Sequence, residues 1–256
     1  MDTRDLEQVA GYGVYAGGLC GLQQELATIL SEHKRPKCKV LACFNPHSYA
    51  VAKKSARFRA ALHKATWLVP DGAGVVLVSR LRNGALRSRV TGSDVHETVM
   101  KRLDQCSGRV FYLGASDATL RKIRKRVSED YPSVVFAGSY SPPYKDRFSA
   151  EENAQMISVV NSAKADVLWV GMTAPKQEVW LEEHREEISP AFAAGIGAVF
   201  DFYSGNVTRS SPLFQKLGLE WLPRLAQEPK RLWRRMFVSA PIFLWDALFH
   251  KPGSRH

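Results

Sequence analysis

Cysteine is scarce in this sequence and forms no pattern: Cys20, Cys38, Cys43 and Cys106 contain no C-x-x-C pair and lie at no zinc-ligand spacing from a histidine. Neither a structural metal site nor a disulfide framework is suggested, and a reducing cytosol fits. The seven histidines form no metal-spaced cluster either. The N-terminus carries Asp2, Asp5 and Glu7 in place of basic, apolar and small-residue regions, so no signal peptide is expected. The longest apolar stretch, Met236 to Phe249, is interrupted by Pro241 and Asp246. It falls short of the roughly 20 residues that a membrane span requires. Internal repeats and low-complexity tracts are missing.

Several catalytic strings are also absent. There is no G-x-x-x-x-G-K-[ST] loop and no G-x-S-x-G elbow, and Gly195-x-Gly197 lacks the third glycine of the dinucleotide fingerprint. NTPase, serine-hydrolase and dehydrogenase readings weaken accordingly. The chain has no Asp-x-Asp, the carboxylate pair that commonly holds a divalent ion on a diphosphate. If a diphosphate leaves here, cations must stabilise it, and neither metal nor cofactor is expected.

What is present is an ordinary globular composition over 256 residues, with 45% hydrophobic and 24% charged residues, 18 Gly and 13 Pro. That length suits one or two domains. The formal charge of +11 favours an anionic partner, whether phosphate, nucleotide, nucleic acid or acidic lipid.

Short, β-branched apolar runs alternate with amphipathic stretches, which is the βαβ pattern of a mostly parallel, covered sheet. The expected strands are Lys39 to Phe44, Ala65 to Val69, Arg109 to Leu113, Val134 to Ala137, Val167 to Gly171 and Phe192 to Ile196. The expected helices are Gln23 to Ser31, Ser48 to His63, Asp94 to Leu103, Asp117 to Asp130, Ala150 to Ser162 and Lys176 to Glu187. Ser48, Ser93 and Ser116 or Asp117 sit where N-caps belong. Small, polar or turn-forming residues follow the strands at Asn45-Pro46, Asp71-Gly72, Gly114-Ala115 and Met172-Thr173. Open α/β sheets bind ligands along that edge.

Pro70-Asp71-Gly72-Ala73-Gly74 puts a carboxylate directly after a strand, where it suits a general base, although a lone P-D-G string is more often an Asp turn or helix cap. Arg87 to Asp94 joins cations to a Thr-Gly-Ser turn opening a helix, which fits a phosphate site or an ordinary capped helix. Ala174-Pro175-Lys176-Gln177-Glu178 offers an amide able to read a base or a sugar hydroxyl, beside a lysine that is otherwise merely exposed. Asp201, amid large apolar groups, needs a partner such as Arg209 or a ligand hydroxyl. From Ser210 to His256, eight cations face three carboxylates, a net +5, and seven Trp or Phe residues are interleaved with them. That mix suits an interfacial amphipathic helix beside anionic lipid, an oligomer interface, or a helix docked on the core.

Four ordered segments closely resemble the WecG/TagA/CpsF glycosyltransferases of bacterial surface-polysaccharide assembly. They are Pro70 to Val76, Val170 to Glu178, Gly197 to Phe202, and Gly218 to Leu225 with Glu228 to Leu232. The likeness spans about residues 40 to 245. It implies inverting transfer of N-acetylmannosamine or another hexose, without an essential metal. The donor is a UDP-sugar and the acceptor a polyprenyl-diphosphate-linked saccharide at the inner face of the cell membrane.

By the same resemblance Asp71 is the base, with Asn45 and Arg89 beside it. The resemblance also carries the family's amide onto Gln177 and its appendage arginines onto Arg224, Arg231 and Arg234, expected at the diphosphate, while Gly114, Gly171, Lys176, Glu178 and Asp201 are expected beside Gln177 as donor contacts. Cys43 departs from a Thr that relatives often carry, which removes a hydroxyl near the donor sugar. The fold class expected is α/β: a Rossmann-like, mostly parallel sheet in residues 1–209, followed by a basic, aromatic-rich helical appendage in residues 210–256. Two readings from other classes remain alongside it, a basic nucleic-acid-binding module and a membrane-docked nucleotide scaffold without catalysis.

Overall fold

The computed structural model describes residues 6–31, 37–207, 233 and 235–249. The chain opens with a hairpin, β1 (Leu6–Val9) and β2 (Tyr12–Tyr15), which no periodicity announced. Its two-residue turn, Ala10-Gly11, takes positive φ at both positions, which is the conformation that matches strand twist in tight hairpins. Helix α1 (Gly18–Ser31) follows and starts ahead of the expected Gln23. Next come β3 (Lys39–Phe44), α2 (Pro46–Lys54), α3 (Ala56–Lys64), β4 (Trp67–Pro70), α4 (Ala73–Leu81), α5 (Gly92–Gln105) and β5 (Arg109–Gly114). After them run α6 (Asp117–Asp130), β6 (Val135–Tyr140), α7 (Ala150–Ser162), β7 (Val167–Gly171), α8 (Lys176–His184), β8 (Phe192–Gly195) and α9 (Gly197–Tyr203). A π-helical turn, Arg235–Ser239, leads into α10 (Ala240–Phe249).

All six expected strands form, and they pair in parallel in the order β4-β3-β8-β7-β5-β6. Alternation along each strand feeds two different layers. Leu41, Trp67, Val69, Tyr112, Trp169 and Phe192 pack against α1, α5, α6 and α9. Their neighbours take the opposite face: Val40, Leu113 and Val170 pack beneath α7 and α8, and Ala42, Phe44 and Leu68 beneath α2, α3 and α10. Burial on both faces is why the strands read as continuous apolar runs. The helices that follow β3 and β7 therefore cover one face, while those that follow β5 and β8 cover the other. Crevices open along the carboxyl edge where neighbouring connections diverge in this way.

The local differences from expectation have local causes. The stretch expected as one helix from Ser48 to His63 is two, because Ser55 is extended and its hydroxyl accepts from Phe58 N–H as the cap of α3. The cap of α2 is Asn45 rather than Ser48, and that of α5 is Thr91 rather than Ser93; Ser116 caps α6 as expected. Helix α8 ends at His184, and α4 and α9 occupy stretches to which no helix was assigned.

The expected boundary near residue 209 lies outside the described residues. Within them, α10 is part of the core. Phe243 is fully buried, 6.1 Å from the Phe44 ring and 5.4 Å from that of Tyr49. Asp246 accepts hydrogen bonds from Tyr49 Oη at 2.8 Å and Lys53 Nζ at 2.6 Å, and Arg82 Nη1 donates to the Ala247 carbonyl at 2.9 Å. No helix among the described residues is long and apolar enough to cross a membrane.

Candidate active site

The ends of β3 and β4 bring Asn45 and Asp71 together. As the cap of α2, Asn45 accepts through Oδ1 from His47 N–H and Ser48 N–H, both at 3.0 Å. Those two donors fix the amide's orientation, because only an oxygen can accept from them. The NH2 group is thereby aimed elsewhere, and Nδ2 makes a long 3.4 Å hydrogen bond to Asp71 Oδ2. Asp71 is held by its own N–H, which donates to the Phe44 carbonyl at 2.8 Å. Its side chain is partly exposed. Gly74 lets α4 start against this pair, since a Cβ there would lie 3.0 Å from Pro46 Cγ. The Val90 N–H donates to the Pro70 carbonyl at 2.9 Å, which brings half-buried Arg89 alongside the Asp71 turn.

Cys43, near the end of β3, is close enough to Asp71 for that charge to act on its thiol. Burial comes first among the causes that raise its thiol well above the usual range, followed by the charges of Asp71, Glu178 and Asp94; a hydrogen bond with Gly92 N–H opposes them. Carboxylates from β4, α5 and α8 thus converge on one thiol that stays neutral and poorly nucleophilic. The N-terminus of α5 closes this side. Asp94 Oδ2 accepts from both Thr91 N–H (2.9 Å) and Thr91 Oγ1 (2.8 Å). Part of the donor set expected to meet phosphate is therefore used by the helix's own carboxylate.

Gln177 and Glu178 are both only 5% exposed. Gln177 Nε2 donates to Glu178 Oε1 at 2.8 Å, while Gln177 Oε1 accepts from Gly197 N–H at 3.2 Å. The amide expected to read a base or sugar is engaged at both ends by the protein. Glu178 Oε2 has no hydrogen-bond partner among the described residues. Burial raises its carboxyl from 4.5 to about 7, against the pull of the Gln177 hydrogen bond. Sequence reasoning did not anticipate this raised carboxyl; its only signal was the pairing of a carboxamide and a carboxyl at the start of an apolar-flanked helix.

Gly114 and Gly171 lie side by side at the β5 and β7 ends. Gly114 has φ +114°, and a Cβ on it would fall 2.5 Å from the Gly171 carbonyl oxygen. Packing alone requires that glycine. Lys176 turns towards residues 144–148: its Nζ donates to the Lys145 carbonyl at 2.6 Å and lies over the Tyr144 and Phe148 rings at 5.6 and 5.2 Å. Asp201 sits one turn into α9, half-buried. Its suggested partner Arg209, like Arg224, Arg231 and Arg234, lies outside the described residues. No group of three or more His, Cys, Asp or Glu side chains suited to a metal converges among the described residues.

The carboxyl ends of β3 and β4 thus hold a carboxylate beside an amide, with the Arg89 backbone alongside. A family model described as the glycosyl transferase WecG/TagA/CpsF family matches residues 8–256. An N-acetylglucosaminyldiphosphoundecaprenol N-acetyl-β-D-mannosaminyltransferase of Bacillus spizizenii is 34% identical over 210 residues, covering 82% of this chain and 79% of the relative. The Bacillus subtilis protein of the same name is 32% identical over 209 residues, covering 82% and 78%. One from Staphylococcus aureus is 27% identical over 201 residues, covering 78% and 76%. The chain belongs to the WecG/TagA/CpsF glycosyltransferase family.

Proposed function

We propose that this protein is an inverting, metal-independent hexosyltransferase that moves N-acetylmannosamine or a related hexose from a UDP-sugar to a polyprenyl-diphosphate-linked saccharide. The observation that carries the reading is the Asn45–Asp71 pair at the carboxyl ends of β3 and β4. Asp71 takes the proton from the acceptor hydroxyl, whose oxygen attacks the anomeric carbon as the bond to UDP breaks on the opposite face. One bond forms and one breaks, so no covalent enzyme intermediate arises. Asn45 orients the carboxylate. Arg89, with Arg224, Arg231 and Arg234 of the appendage, neutralises the departing diphosphate. The names of the relatives support a lipid-linked acceptor and an N-acetylmannosaminyl group. The remaining donor contacts fall to the backbone at Gly114 and Gly171 and to Asp201.

A lipid-linked acceptor calls for a membrane-facing surface, and the exposed apolar groups supply a candidate. Of nine exposed large apolar side chains among the described residues, seven lie on two neighbouring segments. Leu77 and Leu81 are on α4; Trp233, Phe237, Val238, Trp245 and Phe249 are in or next to the C-terminal helical turns. Aromatic and aliphatic groups in a segment of net +5 suit anionic lipid at the inner membrane face. The same features, with the family match, favour this reading over a nucleic-acid module.

Base catalysis contributes about 10²- to 10⁴-fold. Asp71→Asn is expected to lose about that much turnover, assayed with UDP-N-acetylmannosamine and a short-chain prenyl-diphosphate N-acetylglucosamine, while UDP affinity by calorimetry changes little. An equal loss of UDP affinity reassigns Asp71 to recognition.

A further inference from the structure

Helix α9 begins at Gly197 behind Ile196, a residue with no side chain able to cap it. The first N–H groups of a helix need acceptors, and here the acceptor comes from another helix: Gln177 Oε1, at 3.2 Å from Gly197 N. The amide is wedged beneath the β8–α9 turn. A Cβ at Gly195 would lie 3.0 Å from Gln177 Cγ and Nε2, and one at Gly197 would lie 2.9 Å from Gln177 Oε1. The other end of the amide is held by Glu178 Oε1. A chain of contacts thus runs from the start of α8 through Gln177 to the first turn of α9, and Asp201 stands four residues beyond Gly197.

We propose that Gln177 and Glu178 are positioning residues that cap α9 from across the sheet edge and thereby set Asp201 for the donor, without touching the donor themselves. This rests on the reading of Asp201 as a donor contact.

Two influences oppose each other on this carboxyl: burial favours its neutral form, and the hydrogen bond from Gln177 Nε2 favours its ionised form. The groups that face it are the Gln177 amide on its own helix and the Cys43 thiol on β3; Asp71 on the β4 end and Asp94 on α5 face the same thiol. Among the described residues no cation pairs with Glu178. Folding raises this carboxyl from 4.5 to about 7, so the neutral form is the one the fold favours, and its contribution is lost as pH rises through about 7.

The test measures donor KM and kcat separately from pH 6 to 8.5, with UDP-N-acetylmannosamine and a prenyl-diphosphate N-acetylglucosamine, on the full chain. Loss of a helix cap predicts that Gln177→Ala raises donor KM about five- to tenfold with a much smaller change in kcat. In the native enzyme donor KM should climb above pH 7. Glu178→Ala should raise it at every pH, and Glu178→Gln should restore it and flatten the pH dependence. A Glu178→Gln enzyme that keeps the native pH profile overturns the proposal, as does a Gln177→Ala enzyme altered in kcat but not donor KM. Asp201→Asn is run in parallel. If it raises donor KM while Gln177→Ala does not, positioning alone fails; a normal donor KM in Asp201→Asn overturns both the donor contact and the positioning built on it.

Discussion

Asn45 does two jobs with one amide. Oδ1 completes the capping box of α2, and Nδ2 reaches Asp71. Asn45→Ser retains a capping hydroxyl but cannot reach the carboxylate, so turnover should fall while unfolding free energy shifts by less than about 1 kcal/mol. Asn45→Ala should lose both; paired activity assays and urea melts separate the two roles. His96 shows burial acting on a base. It is 3% exposed, its Nε2 lies 2.8 Å from Tyr112 Oη, and burial lowers it from 6.5 to about 3, with Arg126 a secondary cause. Below pH 6.5 the unfolded chain takes up a proton that the folded chain refuses. His96 therefore makes stability fall as pH drops from 6.5 towards 3, by about 1.4 kcal/mol per unit at most. Urea midpoints of the native protein and His96→Phe at pH 7 and 5 should diverge by that sign; parallel shifts would disprove it. Asp71 was legible as a residue because a carboxylate follows an apolar run and precedes glycines. The raised carboxyl of Glu178 was not, since a pKa depends on neighbours that sequence order does not reveal.

At the scale of elements, α10 is both wall and candidate membrane surface. Its inner side buries Phe243 and Ala247, and Asp246 ties it to α2, whose cap is Asn45. A further link joins His47 Nδ1 to Ser239 Oγ at 3.2 Å. Deleting the chain beyond Leu217 would strip Phe44 and Tyr49 of this cover, and fully burying one Phe contributes about 1.5–3 kcal/mol. Asp246→Ala is the milder probe. It leaves Tyr49 Oη without its acceptor and should destabilise by about 1–3 kcal/mol, with faster proteolysis of the C-terminal segment than of the sheet. The elements expected from periodicity largely formed, because apolar spacing is a local property. The hairpin β1–β2 escaped notice because two four-residue strands around Ala10-Gly11 carry too little alternation to stand out. The break at Ser55 escaped because two nine-residue helices preserve nearly the same apolar spacing as one long helix.

At the scale of the molecule, seven exposed apolar side chains lie on the segments where α4 and α10 pack, and five of them belong to the stretch from Ser210 to His256 whose sequence carries a net +5. Co-sedimentation with vesicles containing anionic lipid should fall severalfold for the combined variant Phe237→Ser, Trp245→Ser and Phe249→Ser, and native binding should weaken with added salt. The folded sheet should survive these exposed changes, as the circular dichroism melt would report. Unchanged vesicle binding in the triple variant would remove this face from the proposal. A drop in sedimentation coefficient without lipid would instead assign it to self-association.

The sequence by itself determined the α/β class, the parallel sheet and the turn residues that follow its strands, because periodicity and turn chemistry act over a few neighbours. It also carried the family, through ordered strings that survive divergence. Only the tertiary structure decided which side chains meet. It joined Asn45 to Asp71, turned Lys176 towards residues 144–148 and withdrew Gln177 beneath the β8–α9 turn. Those outcomes depend on strand order: β3 and β8 are adjacent in the sheet although about 150 residues separate them in the chain, and no local pattern encodes that adjacency.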